Sequence, residues 1–178
     1  MSKRVLMTVA AMGAASVIAG TGLALAQSPR GALSDADHKF VMEAMEGGQM
    51  EVELGKLAEQ KASRDAVKQF GQRMATDHAK AGQELAQLAA GKGVEVPTQP
   101  ARKTQVEKDR LSKASGSTFD REYVKMMVKD HEEDVAAFKR ESQQAQDPDL
   151  KAWVAKTLPT LEDHLKSIKQ IESQVARQ

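Results

Sequence analysis

The sequence predicts an all-α protein, a four-helix bundle with one long crossover between its second and third helices. Four segments of roughly 26 to 30 residues each place their apolar side chains on a single stripe at helical spacing. Each segment opens at a cap-forming residue and stops at glycine, proline or a polar break. No stretch alternates with period two for long enough to make a strand.

The N-terminus precedes this pattern. Met1 to Arg4 is short and basic, Val5 to Leu25 carries no charge, and Ala24-Leu25-Ala26 before Gln27 is an A-x-A cleavage pattern. Residues 1–26 are therefore expected to be an export signal peptide, with a short lead at 27–33 and the bundle at 34–178. The alternative is a retained membrane anchor, but Thr8, Gly13, Ser16, Gly20, Thr21 and Gly22 dilute the apolar run. The expected location is periplasmic or outer-membrane-associated. No integral span is expected after cleavage, and peripheral envelope association stays open.

Ser34 opens the first helix with Asp37 as a capping-box acid, and the stripe Phe40, Ala44, Leu54, Ala58 runs to about Lys61, weakest at Gly47-Gly48. Ser63 is the expected cap of the second helix, which carries Val67, Met74, Ala81, Leu85 and Leu88 and stops at Gly91-Lys92-Gly93. Residues 94–117, with Pro97, Pro100 and Gly116, read as a connection, with a short amphipathic helix from Arg102 to Lys113. Ser117 is the expected cap of the third long helix, again followed three residues on by an acid, Asp120. Its stripe is Val124, Val128, Val135 and Phe138. Asp147-Pro148 starts the last helix, which carries Leu150, Val154, Leu158, Leu161, Ile168, Ile171 and Val175 and is expected to kink at Pro159. The long connection is able to run back along the bundle, giving the up-down-down-up order of ferritin-like folds.

Composition removes whole classes of function. A formal net charge of +1 argues against a nucleic-acid binder. The absence of cysteine excludes disulfides, thiolate zinc sites and iron–sulfur clusters.

All 4 histidines follow an aspartate: Asp37-His38, Asp77-His78, Asp130-His131 and Asp163-His164. Two pairs belong to an internal echo, Phe70-x-x-x-Met74-x-x-Asp77-His78 and Tyr123-x-x-x-Met127-x-x-Asp130-His131. His78, His131 and His164 continue the apolar stripes of their helices, and Glu51 stands on the first stripe where an apolar residue is expected. Counted from their caps at 1.5 Å per residue, all four lie roughly 20 to 25 Å along their helices, near mid-height of a bundle about 40 Å long. His38 falls near one end and outside the set.

Three imidazoles and one carboxylate converging in a core suit zinc, copper or iron. Glu51, His78, His131 and His164 are the expected metal ligands. Asp77, Asp130, Asp134 and Asp163 are the expected partners for the second imidazole protons. Met74 and Met127, each four residues before a histidine, are candidate soft ligands for copper(I) or simply core fillers. Tyr123 and Trp153 read as packing residues. A second reading keeps the same residues as a metal-free Asp-His polar core in a structural or interaction module of the cell envelope. No GxSxG, HExxH, paired ExxH or phosphate-cradling glycine loop is present, so the sequence favours no enzyme.

The segments Glu51-Val-Glu-Leu-Gly-Lys-Leu-Ala58, Met74-Ala-Thr-Asp-His78, Phe119-Asp-Arg-Glu-Tyr-Val124, Met127-Val-Lys-Asp-His131 and Leu158-Pro-Thr-Leu-Glu-Asp-His-Leu165 resemble the DUF4142 family. The resemblance spans about residues 35 to 174 and implies an exported bundle of the ferritin-like superfamily. It implies no activity. Di-iron bundles place Glu-x-x-His on one face, whereas Ala75, Val128 and Leu161 stand three residues before these histidines. The combined expectation is an envelope protein for metal handling or envelope stress rather than a di-iron enzyme.

Overall fold

A computed structural model describes residues 31–176; the expected signal peptide at 1–26 and most of the lead lie outside the described residues. Five helices follow in order: α1 Asp35–Lys61, α2 Asp65–Gly91, α3 Arg102–Ser112, α4 Gly116–Gln144 and α5 Pro148–Val175. The four long helices are those the apolar stripes predict, and α3 is the short helix expected inside the crossover. The described chain is all-α, and none of its helices is long and apolar enough to cross a membrane.

Two buried aspartates fix the direction of every helix. Asp37, near the start of α1, accepts from the backbone N–H groups of Gln146 at 3.2 Å and Asp147 at 2.9 Å, in the turn between α4 and α5. Asp120, near the start of α4, accepts from the backbone N–H groups of Ser63 at 2.9 Å and Arg64 at 3.1 Å, in the turn between α1 and α2. Each hairpin thus caps the turn of the other, and the long helices run up, down, down, up. The crossover climbs beside α1, where Lys103 meets Glu46 at 3.1 Å and Lys108 meets Glu53 at 2.5 Å. At the top, Lys61 donates to the carbonyl of Ser112.

Helix ends follow the expected chemistry at three places and depart from it at two. Ser34 accepts from the Asp37 N–H, and Asp147 accepts from the N–H groups of Asp149 and Leu150 ahead of Pro148. Gly93, with φ +73°, closes α2 in a Schellman turn, Val94 N–H to Ala89 O and Gly93 N–H to Ala90 O. Ser63 and Ser117 do not cap their helices. The N-caps are Arg64 and Ser115, neither with a side-chain cap bond. Ser63 instead donates both its N–H and its hydroxyl to Asp120, which serves that helix start from across the bundle. Gly116, with φ +57°, turns the chain into α4 one residue before Ser117. Pro159 sits inside α5 without ending it.

The core is divided into two apolar clusters. One gathers Leu54, Phe70, Met74, Phe119, Tyr123, Met127 and Ile168; the other gathers Phe40, Val41, Leu85, Phe138, Leu150, Trp153, Val154 and Leu161. Residue numbers place Glu51, His78, His131 and His164 between the two on every long helix. α1 and α2 touch backbone to backbone just above this level: a Cβ on Gly55 would stand 2.5 Å from the Gly71 carbonyl oxygen. That approach holds Glu51, one turn below Gly55, against the α2 face that carries His78.

Candidate metal centre

The polar layer between the clusters is formed by one inward side chain from each long helix. Glu51, His78, His131 and His164 are 1%, 7%, 0% and 1% exposed. Ring centroids lie 5.7 Å apart for His78 and His131, 5.3 Å for His78 and His164, and 5.5 Å for His131 and His164. One ligand nitrogen of each imidazole lies within 4.8 Å of those of the other two. Phe70 meets His131 and His164 in T-shaped ring contacts, with centroids 6.1 and 6.3 Å apart.

Each imidazole spends one nitrogen on a protein partner. His78 Nδ1 lies 2.7 Å from Glu51 Oε2. His131 Nδ1 donates to the Met127 carbonyl at 3.0 Å, and His164 Nε2 donates to Asp77 Oδ2 at 2.8 Å. The remaining nitrogens, His78 Nε2, His131 Nε2 and His164 Nδ1, are buried and have no hydrogen-bond partner among the described residues. Buried polar atoms in native folds are almost always paired. Three converging imidazoles from three helices, each with one nitrogen anchored and the other without a hydrogen bond, form the arrangement in which metal-bound histidines are held. The residues present fit a metal ion.

Electrostatics divide the cluster. Burial pushes the Glu51 carboxyl up, but His78, by charge and hydrogen bond, and then His131 and His164 hold it below the usual glutamate range. Burial pushes His78 down, yet Glu51 lifts it above its ordinary value. His131 is lowered by burial, and His164 is lowered to about 4 by burial against the pull of Asp77. Without metal, then, Glu51 favours a proton on His78, whereas burial disfavours one on His131 and on His164. Asp130 is raised to about 7 and Asp134 to about 8, in both cases by burial first and then by Glu51.

The four aspartates expected beside the histidines have separate fates. Asp77 reaches His164 on the adjacent helix. Asp163 faces outward, as its place one residue before an inward histidine dictates, and takes the Arg73 guanidinium at 2.8 Å instead of an imidazole. Arg73 also holds Asp77 at 3.3 Å, so the hydrogen-bonded path from Asp163 to His164 runs through Arg73 and Asp77. Asp130 leaves Oδ2 buried and unpaired, grouped with Glu51 and His131. Asp134 lines a small cavity of about 30 Å³ with Glu51, His78, Phe138 and Trp153. Met74 and Met127 are fully buried in the upper apolar cluster, and Met127 meets His131 through its carbonyl oxygen. His38 is exposed. The sequence reading missed that carbonyl, the Phe70 ring and the Arg73 bridge. The i,i+4 spacing of Arg73 and Asp77 signals the bridge.

His78 also borders an open groove of about 440 Å³ between α1 and α2, beneath Val96, Pro97 and Pro100 of the crossover. Gly48 and Gly82 in its wall carry no side chain to block the way.

Solved structures share this architecture. A DUF305 fragment from Deinococcus radiodurans matches 80% of this chain and 99% of its own, with TM-score 0.70 at 10% identity. CopM in its Cu(I)-bound form matches 78% and 96%, with TM-score 0.65 at 19% identity. CopM in its Cu(II)-bound form matches the same shares, with TM-score 0.66 at 18% identity. At these identities the likeness is one of fold. No curated protein matches the chain in sequence. Residues 22–171 match the family described as a domain of unknown function, DUF4142, and the chain belongs to that family.

Proposed function

We propose that this protein binds a transition-metal ion between His78, His131 and His164, with Glu51 beside it, and serves metal handling in the cell envelope. The carrying observation is the set of three buried, unpaired imidazole nitrogens, each on a ring oriented by a hydrogen bond from its other nitrogen. Nitrogen donors of this kind suit copper, zinc and iron(II). Copper is favoured among them because CopM, which shares the fold, has been seen holding Cu(I), Cu(II) and silver. The groove at His78 supplies a route for the ion, and the leader pattern at residues 1–26 supports export. The metal-free polar core, as the alternative, leaves all three nitrogens without a hydrogen bond among the described residues, with His131 Nε2 only in a 3.3 Å contact with Glu51 Oε1.

The test is elemental analysis of the chain from Gln27 onward, purified without an affinity tag from the compartment that holds it. Near-stoichiometric copper, zinc or iron is expected, and His78→Ala with His131→Ala together abolishes its uptake. A metal-free protein whose melting ignores added ions would overturn the reading in favour of a structural module.

A further inference from the structure

We propose that the same polar layer contains a second cation position, overlapping the first. Glu51, Asp130 and His131 form an oxygen-rich site for a divalent ion of the manganese(II) or iron(II) class, which cannot be filled while an ion occupies the three histidines. The proposal rests on the metal-binding reading above and extends it to a choice between two ions.

The geometry supplies the donors. One ligand atom from each of Glu51, Asp130 and His131 lies within 4.8 Å of the other two, and Glu51 Oε1 stands 3.3 Å from His131 Nε2. Glu51 Oε1, Asp130 Oδ2 and His131 Nε2 are all buried and without a hydrogen-bond partner among the described residues. Because His131 Nδ1 gives its proton to the Met127 carbonyl, Nε2 presents a lone pair. Two carboxylates and an imidazole nitrogen therefore crowd one buried spot without a hydrogen bond between them, an arrangement that costs free energy unless a proton or a cation is shared there.

The two donor sets differ in charge and hardness. Two carboxylates neutralise a divalent ion, and oxygen donors suit the harder cations. Three neutral imidazoles with one adjacent carboxylate balance a monovalent soft ion such as Ag(I) or Cu(I). His131 Nε2 belongs to both sets and has one lone pair, so it serves one ion at a time. The mouths differ as well. His78 opens on the groove between α1 and α2, whereas Asp130 lines a separate groove of about 310 Å³ with Met50, Glu107 and Glu133.

The experiment titrates the full chain with Mn(II), followed by loss of the free-ion six-line electron paramagnetic resonance signal, and with Ag(I), followed calorimetrically. Each ion is expected to bind at one equivalent, and Ag(I) is expected to return bound Mn(II) to solution. Asp130→Asn should weaken Mn(II) about 10-fold more than Ag(I), and His164→Gln should do the reverse by about the same factor. Mn(II) and Ag(I) bound together would overturn the proposal. So would Ag(I) binding without Mn(II), or equal effects of each variant on both ions. Wild-type protein that binds neither would overturn the metal reading itself. The displacement arm needs no variant, so a misfolded substitution leaves the test standing.

Discussion

Asp77 on α2 accepts the Nε2 proton of His164 on α5 at 2.8 Å, and this one bond sets which nitrogen of His164 is free. It also crosses between the two hairpins, with Arg73 bracing the carboxylate from behind at 3.3 Å. Removing the acceptor in Asp77→Ala leaves His164 free to change tautomer and to rotate. Metal affinity should fall by about 10- to 100-fold, the usual loss when a partner behind a metal-bound histidine is deleted. Competition against a chromophoric chelator measures it. Asp163→Ala removes a carboxylate that touches Arg73 alone and should cost much less, so equal losses in the two variants would sink the argument.

Asp134 makes the metal-free protein sensitive to alkali. Burial, with Glu51 and Asp130 nearby, raises its carboxyl from 3.8 to about 8. The folded state keeps that proton after the unfolded chain has lost it. The resulting stability is complete below about pH 4 and drains away as pH climbs through the raised value. Asp134→Asn holds the group neutral at every pH. In chelator-treated protein the variant should gain about 1 to 3 kcal/mol on the wild type between pH 5 and pH 8, read from urea midpoints. Asp130, raised to about 7, keeps part of the slope in the variant. Parallel stability curves for the two proteins would assign no role to Asp134.

Asp37 and Asp120 do the same work at opposite ends of the bundle. Both are 1% exposed, and each accepts backbone N–H groups from a turn in the other hairpin. Alanine at either position strands buried donors, which should cost about 1 to 3 kcal/mol. The ends are far apart and share no partner, so the double variant should show the sum within about 0.5 kcal/mol. Thermal and denaturant unfolding of the four proteins completes the cycle.

The long helices and the height of the cluster were legible because both follow from a local count. An inward position at helical spacing, measured from a cap, places Glu51, His78, His131 and His164 on one level before any packing is known. What each neighbouring aspartate does was not legible, since that depends on which helix lies alongside. Asp77 finds His164, Asp163 finds Arg73, and Asp130 finds the Glu51 and His131 side of the cluster. All three precede a histidine by one residue. The same limit explains Ser63, whose sequence context is that of a cap. Its donors go to Asp120, 57 residues away.

Glycine-to-alanine substitution should have opposite signs at two places on the α1–α2 hairpin. At Gly71 a Cβ would lie 2.7 Å from Ala58 Cβ and from the Gly55 carbonyl oxygen, where neither neighbour has a flexible end to move. Gly71→Ala must push α1 from α2, which costs about 1 to 3 kcal/mol as overpacking does. It also lengthens the 2.7 Å contact between Glu51 and His78, two turns from Gly71 on α2. At Gly47 nothing lies within 4 Å of the added carbon, and the helix there gains only the better propensity of alanine, about 0.5 to 1 kcal/mol. Thermal melts should move down for Gly71→Ala and up for Gly47→Ala. Metal affinity should fall with the first alone, because only the first disturbs the spacing that brings Glu51 to His78.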